Sequence, residues 1–265
     1  GVDYPLTMYP YGALRRTQWP ASTANLVDRT LAYDEAGNVG SITDAVNGEV
    51  IGYTYDDLDR LLSVSAPISE NYSYDQIGNI ASKNGQAYSY GDPAHVHAVT
   101  AFASNLYGYD ANGCMVTRPA QTVRYDARLH PVRVDGNGAT LWRAAYDGDG
   151  ARRKRLDASG TVHYVGPYER NLGNGQDTSE VVTKYYQALG RLIAFRKNGV
   201  LRYVGTDHLG GTIRVADSSF LALDQMRYTP YGVARDAGSS LSTDHRFTSQ
   251  IEDASWLVVC GDTGG

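Results

Sequence analysis

Short runs in which apolar and polar residues alternate recur along the chain. Residues 50–55 and 162–165 are clear examples, and an alternation with period two is typical of a strand that buries one face. No stretch of the sequence shows a helical stripe with a cap at each end. Residues 178–195 come nearest, but they are rich in the β-branched and aromatic residues that favour strands. The pattern therefore predicts an all-β protein.

A Tyr-Asp pair recurs along the first part of the chain at intervals of roughly twenty residues. The copies are Tyr33-Asp34, Tyr55-Asp56, Tyr74-Asp75, Tyr109-Asp110, Tyr125-Asp126 and Tyr146-Asp147. A degenerate copy, Tyr90-Gly91-Asp92, fills the gap after Tyr74. Self-similarity at such a period indicates an architecture built from repeated supersecondary units.

In several copies a glycine follows the aspartate by three positions. The aspartate can accept backbone amide hydrogens at the start of a turn, and a glycine takes the positive φ that closes a short hairpin loop. We therefore expect Gly37, Gly78 and Gly113 to adopt positive φ. Further turn signals fall between the Tyr-Asp sites, at Asn47-Gly48, Asn84-Gly85, Gly136-Asn137-Gly138, Ser159-Gly160 and Asn198-Gly199. Each repeat is then a hairpin of two antiparallel strands, and stacking of many hairpins supplies the stability that one lacks.

With these motifs the chain resembles the Rhs and YD-repeat family from about residue 31 to residue 250. This family includes bacterial rearrangement-hotspot proteins, shell components of insecticidal toxin complexes and the YD shell of animal teneurins. The most specific part is late: Asp207-His208-Leu209-Gly210 is similar to the element that opens the Rhs-associated core. Two further segments follow in the order of that core, Tyr228-Thr229-Pro230-Tyr231-Gly232 and Arg246-Phe247-Thr248-Ser249-Gln250.

The resemblance implies that the repeats form a spiralling sheet or partial β-shell that encloses a toxic C-terminal domain or stands as a rigid surface module. We therefore expect a non-catalytic shell or scaffold segment of a polymorphic toxin or surface protein, secreted or at the cell surface. An adhesion or carbohydrate-binding module that self-assembles into filaments is the alternative, since exposed tyrosine rings stack on sugars. A secreted enzyme would need a non-repeat domain.

The same comparison divides the chain into four parts. These are an N-terminal cap or truncated repeat (1–30), the hairpin array (31–200), a core-like segment (201–250) and a divergent tail (251–265). The family continues after this point to a self-cleavage site with paired aspartates, whereas the tail here reads Glu252-Asp253-Ala254-Ser255 and then turns apolar. We expect a truncated, diverged or frame-altered tail, and a cut or modified cap around residues 9–12. The end strands should then pair with further repeats of a parent chain, a copy of this chain or a capping domain.

Composition narrows the partners. A formal charge of −5 argues against nucleic acid as a ligand, because nucleic-acid-binding domains are usually basic. We interpret the basic run of residues 152–155 as a solvated strand segment. Tyrosine outnumbers the other aromatics, which suits strands with one wet face. Cys114 and Cys260 form neither a metal knuckle nor a disulfide framework, and whether they pair stays open. The sequence shows no apolar run long enough for a membrane span and no signal peptide.

No catalytic residue, metal site or cofactor is predicted. Asp207 and His208 are neighbours, and adjacent strand residues point to opposite faces, so a catalytic dyad is not expected. His95 and His97 would share a strand face, but only Asp92 lies near them as a third ligand. The repeated aspartates are interpreted as turn residues and not as paired glycosidase acids. The acidic stretch 56–59 lacks the spacing of a calcium loop, and the glycine-rich stretches 148–150 and 171–175 indicate turns and not phosphate loops.

Overall fold

The computed structural model describes residues 7–8, 14–20, 25–174, 180–235 and 240–253. In this part of the chain the structure is all-β, as predicted, with no α-helix and one short 3-10 turn, Phe247–Ser249. None of its helical segments is long and apolar enough to cross a membrane.

The strands fall into two sheets whose order follows the chain. The first sheet contains eleven strands: β1 Thr7–Met8, β2 Leu14–Pro20, β3 Asn25–Tyr33, β4 Val39–Asp44, β5 Glu49–Tyr55, β6 Leu61–Val64, β7 Glu70–Tyr74, β8 Ile80–Lys83, β9 Gln86–Ser89, β10 Ala101–Phe102 and β11 Asn105–Leu106. The second sheet contains thirteen strands: β12 Gly108–Tyr109, β13 Met115–Arg118, β14 Gln121–Tyr125, β15 Pro131–Gly136, β16 Ala139–Tyr146, β17 Arg152–Asp157, β18 Gly160–Val165, β19 Tyr168–Asn171, β20 Val181–Ala188, β21 Arg191–Lys197, β22 Val200–Thr206, β23 Thr212–Ala216 and β24 Ala222–Gln225. Within each sheet, every strand is therefore next to its sequence neighbour, as expected for hairpins in series.

The tyrosine of each Tyr-Asp pair ends a strand at an irregularity in register. In the β3–β4 pair, Leu31 lies opposite Ile42, but Tyr33 lies opposite Val39, and the register shifts just before the tyrosine. The same shift precedes Tyr55 in the β5–β6 pair and Tyr74 in the β7–β8 pair. A bulge of this kind increases the local twist of the strands. The Tyr-Asp site thus marks where each hairpin bends into its turn.

The chain divides into two compact units. The first comprises Gly1–Ala87, Leu189–Ile193 and Tyr203–Ile251. The second comprises Tyr88–Ala188, Ala194–Arg202 and Glu252–Gly265.

One core cluster of the first unit joins early strands to the late core-like segment. Trp19 is 1% exposed and packs in a cluster with Leu26, Val27, Ile213 and Ala216. Gly205 lies against the same indole, so that a Cβ at this position would be 2.6 Å from Trp19 Cε3. A second cluster in this unit is built from three buried side chains that repeat along β5 to β7: Ile51, Val64 and Tyr72.

The second unit has a core of its own on three neighbouring strands. Val123 on β14, Val134 on β15 and Trp142 on β16 lie in one buried cluster, and Val134 and Trp142 are directly opposite each other. Alternate residues of the same strands point to the other face, as the sequence pattern predicts for a sheet with one buried side. Residues 181–188 and 191–197 are strands, which confirms the preference for strand over helix in that stretch.

Candidate functional site: the Tyr-Asp turns

The aspartate of the Tyr-Asp pair closes its own turn. Asp75 Oδ1 accepts hydrogen bonds from the backbone N–H of Ile77 at 3.0 Å and of Asn79 at 2.8 Å. Asp126 accepts the equivalent amides of Arg128 and His130, both at 2.9 Å. The His130 amide contributes most to holding the pKa of the Asp126 carboxyl below its usual range. The same amide contacts recur at the other turns, of Asp34, Asp56, Asp110 and Asp147.

The tyrosine ties its turn to the preceding one. Tyr125 donates its hydroxyl hydrogen to the carbonyl oxygen of Met115 at 2.9 Å, and Met115 is the first residue of the strand that follows the Asp110 turn. Further bonds of this kind join Tyr55 to Val39, Tyr74 to Leu61, Tyr109 to Val99 and Tyr146 to Pro131, at 2.8 to 3.0 Å. We call this series the tyrosine ladder. Burial raises the pKa of Tyr125 and Tyr146, which further favours the protonated form that donates the hydrogen bond.

The third residue after the aspartate lies in the left-handed region. Gly37, Gly78 and Gly113 have φ of 92°, 93° and 79°, which confirms the expected conformation. Two copies place a side chain there: Asp59 has φ 60° and Leu129 has φ 64°. These residues are strained relative to glycine, and the surrounding amide contacts of the turn hold them in place.

The late core-like motifs use the same turn, although sequence reasoning treated them as separate elements. Asp207 accepts the amides of Leu209 at 3.0 Å and Gly211 at 2.8 Å, and Gly210 has φ 88°. The signal was the aspartate with a glycine three positions later, which matches the repeat.

A threonine takes the place of the aspartate in a later copy, at Thr229. Thr229 Oγ1 accepts the amide of Val233 at 3.2 Å, and Gly232 has φ 88°. Pro230 lies directly after the threonine, the position at which proline is favoured in a turn. Tyr228 donates to the carbonyl oxygen of Thr212 at 3.0 Å, so the ladder bond is present here too.

Tyr231 connects this late turn to an earlier repeat of the first unit. Its ring packs edge-on against Tyr72 with centroids 5.1 Å apart, and its hydroxyl lies 3.3 Å from that of Tyr74. Tyr72 also donates to the buried carboxylate of Glu70, which pairs with Lys83 at 3.2 Å. The Glu70 carboxylate thus has both a hydrogen-bond donor and a cation as partners, and these contacts support the β7–β8 hairpin.

Among the described residues, no hydrogen bond joins the side chains of Asp207 and His208. One oxygen of the Asp207 carboxylate, Oδ1, accepts two amides of its own turn. Arg191 donates to the carbonyl oxygens of both residues, at 2.8 and 3.1 Å. Burial lowers the pKa of the half-buried His208, and its Nδ1 has no hydrogen-bond partner among the described residues.

The expectation that His95 and His97 share a strand face is wrong. Both residues lie in the irregular segment between β9 and β10, because Asp92 starts a turn there. His95 Nδ1 is 2.8 Å from Asp92 Oδ2, and its ring lies against Gly113 of the next turn. His95 therefore supports a turn.

The interpretation of residues 152–155 as a solvated segment needs correction. Arg153 and Lys154 are exposed, but Arg155 is only 8% exposed. Arg155 Nη1 donates to Asp253 Oδ1 at 2.9 Å, and Arg152 donates to the other oxygen of the same carboxylate. Arg155 also pairs with Asp157 at 3.0 Å. The sequence did not reveal this pairing, because Asp253 lies about a hundred positions away along the chain.

The remaining candidates occupy turns. Asp56 pairs with Arg60 at 2.6 Å, and Asp59 accepts a hydrogen bond from Asn38 at 2.7 Å. Gly150 closes the Asp147 turn with φ 83°. Cys114 has a free, half-exposed thiol. Cys260, the tail from residue 254, Gly175 and the opening motif at residues 9–12 lie outside the described residues.

Comparisons with known proteins agree with this geometry. The family model of the Teneurin YD-shell matches residues 9–261. The chain is similar to the crystal structure of TcdB2-TccC3 without its hypervariable C-terminal region (TM-score 0.75, 21% identity) and to that of TcdB2-TccC3-Cdc42 (0.74, 19%). It is also similar to the Tc holotoxin pore of Photorhabdus luminescens (0.72, 20%). In each case the match covers 96% of this chain and only 16% of the other. A search of curated proteins gives no match.

Proposed function

The chain belongs to the Teneurin YD-shell family, and on that premise we propose that it forms part of the wall of a larger shell which encloses or displays another moiety. The observation that carries the proposal is the tyrosine ladder. Its bonds recur at six tyrosines from Tyr55 to Tyr228, and each of them ties a turn to the segment that follows an earlier turn. A bond that links successive repeats stabilises an extended wall, because each repeat of such a wall contacts only its neighbours, whereas a single binding site needs no such repetition.

We propose that the array of residues 31–200 and the core-like segment of residues 201–250 are one continuous wall. The support is the shared turn, with Asp207 and Thr229 in the place of the repeat aspartate. Residues 1–30 then act as a cap or partial repeat, and residues 251–265 as a divergent tail anchored through Asp253.

We propose that the wall has no catalytic activity of its own. The support is that the repeat aspartates and Asp207 bind turn amides and that His95 binds Asp92. Hydrolase and ADP-ribosylation assays on the purified chain test this. Turnover that a His208→Ala substitution abolishes would contradict it.

The proposed partners are further repeats of a parent chain or copies of this chain, paired through the outer edges of the end strands, together with an enclosed toxin domain. The proposed location is outside the producing cell. The test uses the whole parent chain: a protease is added to it, and the region beyond the wall should resist cleavage until the wall unfolds. Cleavage of that region at the same rate as in its isolated form would contradict enclosure.

One observation favours the alternative, a carbohydrate-binding surface. Lys184 lies over the rings of Tyr168 and Tyr186, 5.1 and 5.2 Å from their centroids, on one face of β19 and β20. An aromatic pair that brackets a cation, here the exposed Tyr168 and the half-buried Tyr186, can stack on a sugar ring and bind its acidic groups. A glycan screen with the wild type and a Tyr168→Ala variant separates the two functions.

A further inference from the structure

The exposed face of strands β14 to β18 carries an excess of positive charge. Val123, Val134 and Trp142 form the buried side of these strands, so the alternate residues point the other way. The cations on that other side are Arg124, Arg133, Arg143 and Lys154. We call these four residues the basic face. One carboxylate, that of Asp135, lies on the same side of these strands.

The cations are placed directly against one another. Arg124 lies opposite Arg133, and Arg133 lies opposite Arg143. Like charges at opposed positions destabilise a pair of strands, so this arrangement works against the sheet that carries it. Asp135 offsets only part of it, at 2.7 Å from Arg133 and 3.8 Å from Arg124.

The basic face is available to a partner. The side chain of Arg124 is 68% exposed, and Arg143 and Lys154 are exposed as well. Within the part of the chain that the structure describes, Arg143 and Lys154 have no ion pair. A nearby arginine of the same sheet shows which kind of group such a side chain binds. Arg170 binds the carboxylate of Glu180 through two nitrogens, at 2.6 and 2.8 Å.

Matching carboxylates occur on the same chain, in three consecutive turns of the first unit. Residues 34–38, 56–60 and 75–79 contain six Asp or Glu residues and one Arg. The turns form a row, because Asn38 of the first donates to Asp59 of the second, and Arg60 donates to the carbonyl oxygen of Asp75 in the third, at 3.4 Å. Glu35 and Asp57 are exposed. We call these three segments the acidic turns.

We propose that the basic face binds the acidic turns of a second copy of this chain. The charges are complementary, and both rows run across neighbouring strands: the cations recur once per strand, about 4.8 Å apart, and the acidic turns once per two strands, about twice that distance. A contact between two different surfaces is head-to-tail, so it continues from copy to copy. It uses side-chain charges, and for that reason differs from pairing through strand edges.

Sedimentation velocity of the purified chain at several concentrations tests the proposal. The chain should associate at about 50 mM NaCl, and at about 500 mM the apparent Kd should rise at least about tenfold because salt screens exposed charges. The triple variant Arg124→Glu, Arg133→Glu, Arg143→Glu should stay monomeric at low salt. A control with the same change in net charge reverses three exposed cations elsewhere, Arg128, Arg196 and Lys197, and should associate like the wild type.

A complementary variant makes the test specific. Glu35→Lys with Asp57→Lys should also be monomeric alone, and mixing it with the triple arginine variant should restore a complex. If the triple variant does not fold by circular dichroism, the single Arg143→Glu variant takes its place. A wild type that is monomeric at low salt overturns the proposal, as does association that salt does not weaken or that the control also loses. Capture of heparin or DNA by the basic face without self-association would assign the face to another partner and overturn it too.

Discussion

Replacing Tyr125 by phenylalanine removes only the hydroxyl oxygen and so tests a single bond of the tyrosine ladder. The ring keeps its place beside Val123, Val134 and Trp142, and only the hydrogen bond to the Met115 carbonyl oxygen is lost. A neutral hydrogen bond of this length contributes about 1 kcal/mol to the free energy of unfolding, and a half-buried carbonyl left without its donor adds to the loss. We therefore expect Tyr125→Phe to lower the free energy of unfolding by about 1 to 2 kcal/mol.

The assay is urea unfolding followed by circular dichroism, with Tyr186→Phe as the control. Tyr186 contacts Lys184 through its ring, a contact that phenylalanine keeps, so this change should stay within about 0.5 kcal/mol of the wild type. Combining Tyr55→Phe with Tyr125→Phe should give nearly additive losses, because the two residues lie in different compact units. Equal stability of the Tyr125→Phe and Tyr186→Phe variants would refute the idea that the ladder holds successive turns together.

Three further substitutions should change the free energy of unfolding in different ways: one raises it, one lowers it and one alters its pH dependence. Leu129→Gly should raise the free energy of unfolding by up to about 1 kcal/mol, since glycine adopts a positive φ without strain; a loss in the same urea assay would contradict this. Asp253→Ala should lower it by about 3 kcal/mol, because Arg152 and Arg155 lose their shared carboxylate inside the second unit; an unchanged midpoint would show that the tail is not anchored. The pKa of Asp126 is lower in the folded protein than in the unfolded chain. The ionised carboxylate therefore stabilises the fold at pH values above its unfolded pKa, near 3.9, and this stabilisation is lost as the pH falls through the folded pKa. Asp126→Asn should flatten the pH dependence of the free energy of unfolding below about pH 4.

Local turn chemistry made most of the fold predictable from the sequence. The aspartate and glycine of a turn interact within five residues, so their spacing at Asp75 and Gly78 carries the whole signal. The strand alternation is equally local. Together they predicted the hairpins and the positive φ values.

The role of the tyrosine was not predicted, because its partner belongs to the preceding repeat. The hydroxyl of Tyr146 reaches Pro131, and no periodicity in a single sequence reveals which carbonyl an adjacent turn will present. The bond between Arg155 and Asp253 was missed for the same reason. Strand parity alone could have indicated that Arg155 and Lys154 point to different faces.

The positive φ of Leu129 could not be predicted from the residue type, because the turn overrides the preference of leucine for negative φ. Three hydrogen bonds fix this turn: Asp126 accepts two amides through its carboxylate, and the Leu129 amide donates to the Asp126 carbonyl oxygen at 3.0 Å. The spacing of the flanking repeats is a better indication of the positive φ at this position than the residue type is.

Cryo-electron microscopy of the intact parent chain tests the central claim, that this segment is part of a wall. The account predicts that the outer edges of β1 and β24 are hydrogen-bonded to further strands, that the tyrosine ladder continues into the neighbouring repeats, and that the wall surrounds a cavity. A structure in which this segment stands alone as a monomer, with both end strands covered by its own loops and no enclosed space, would contradict it.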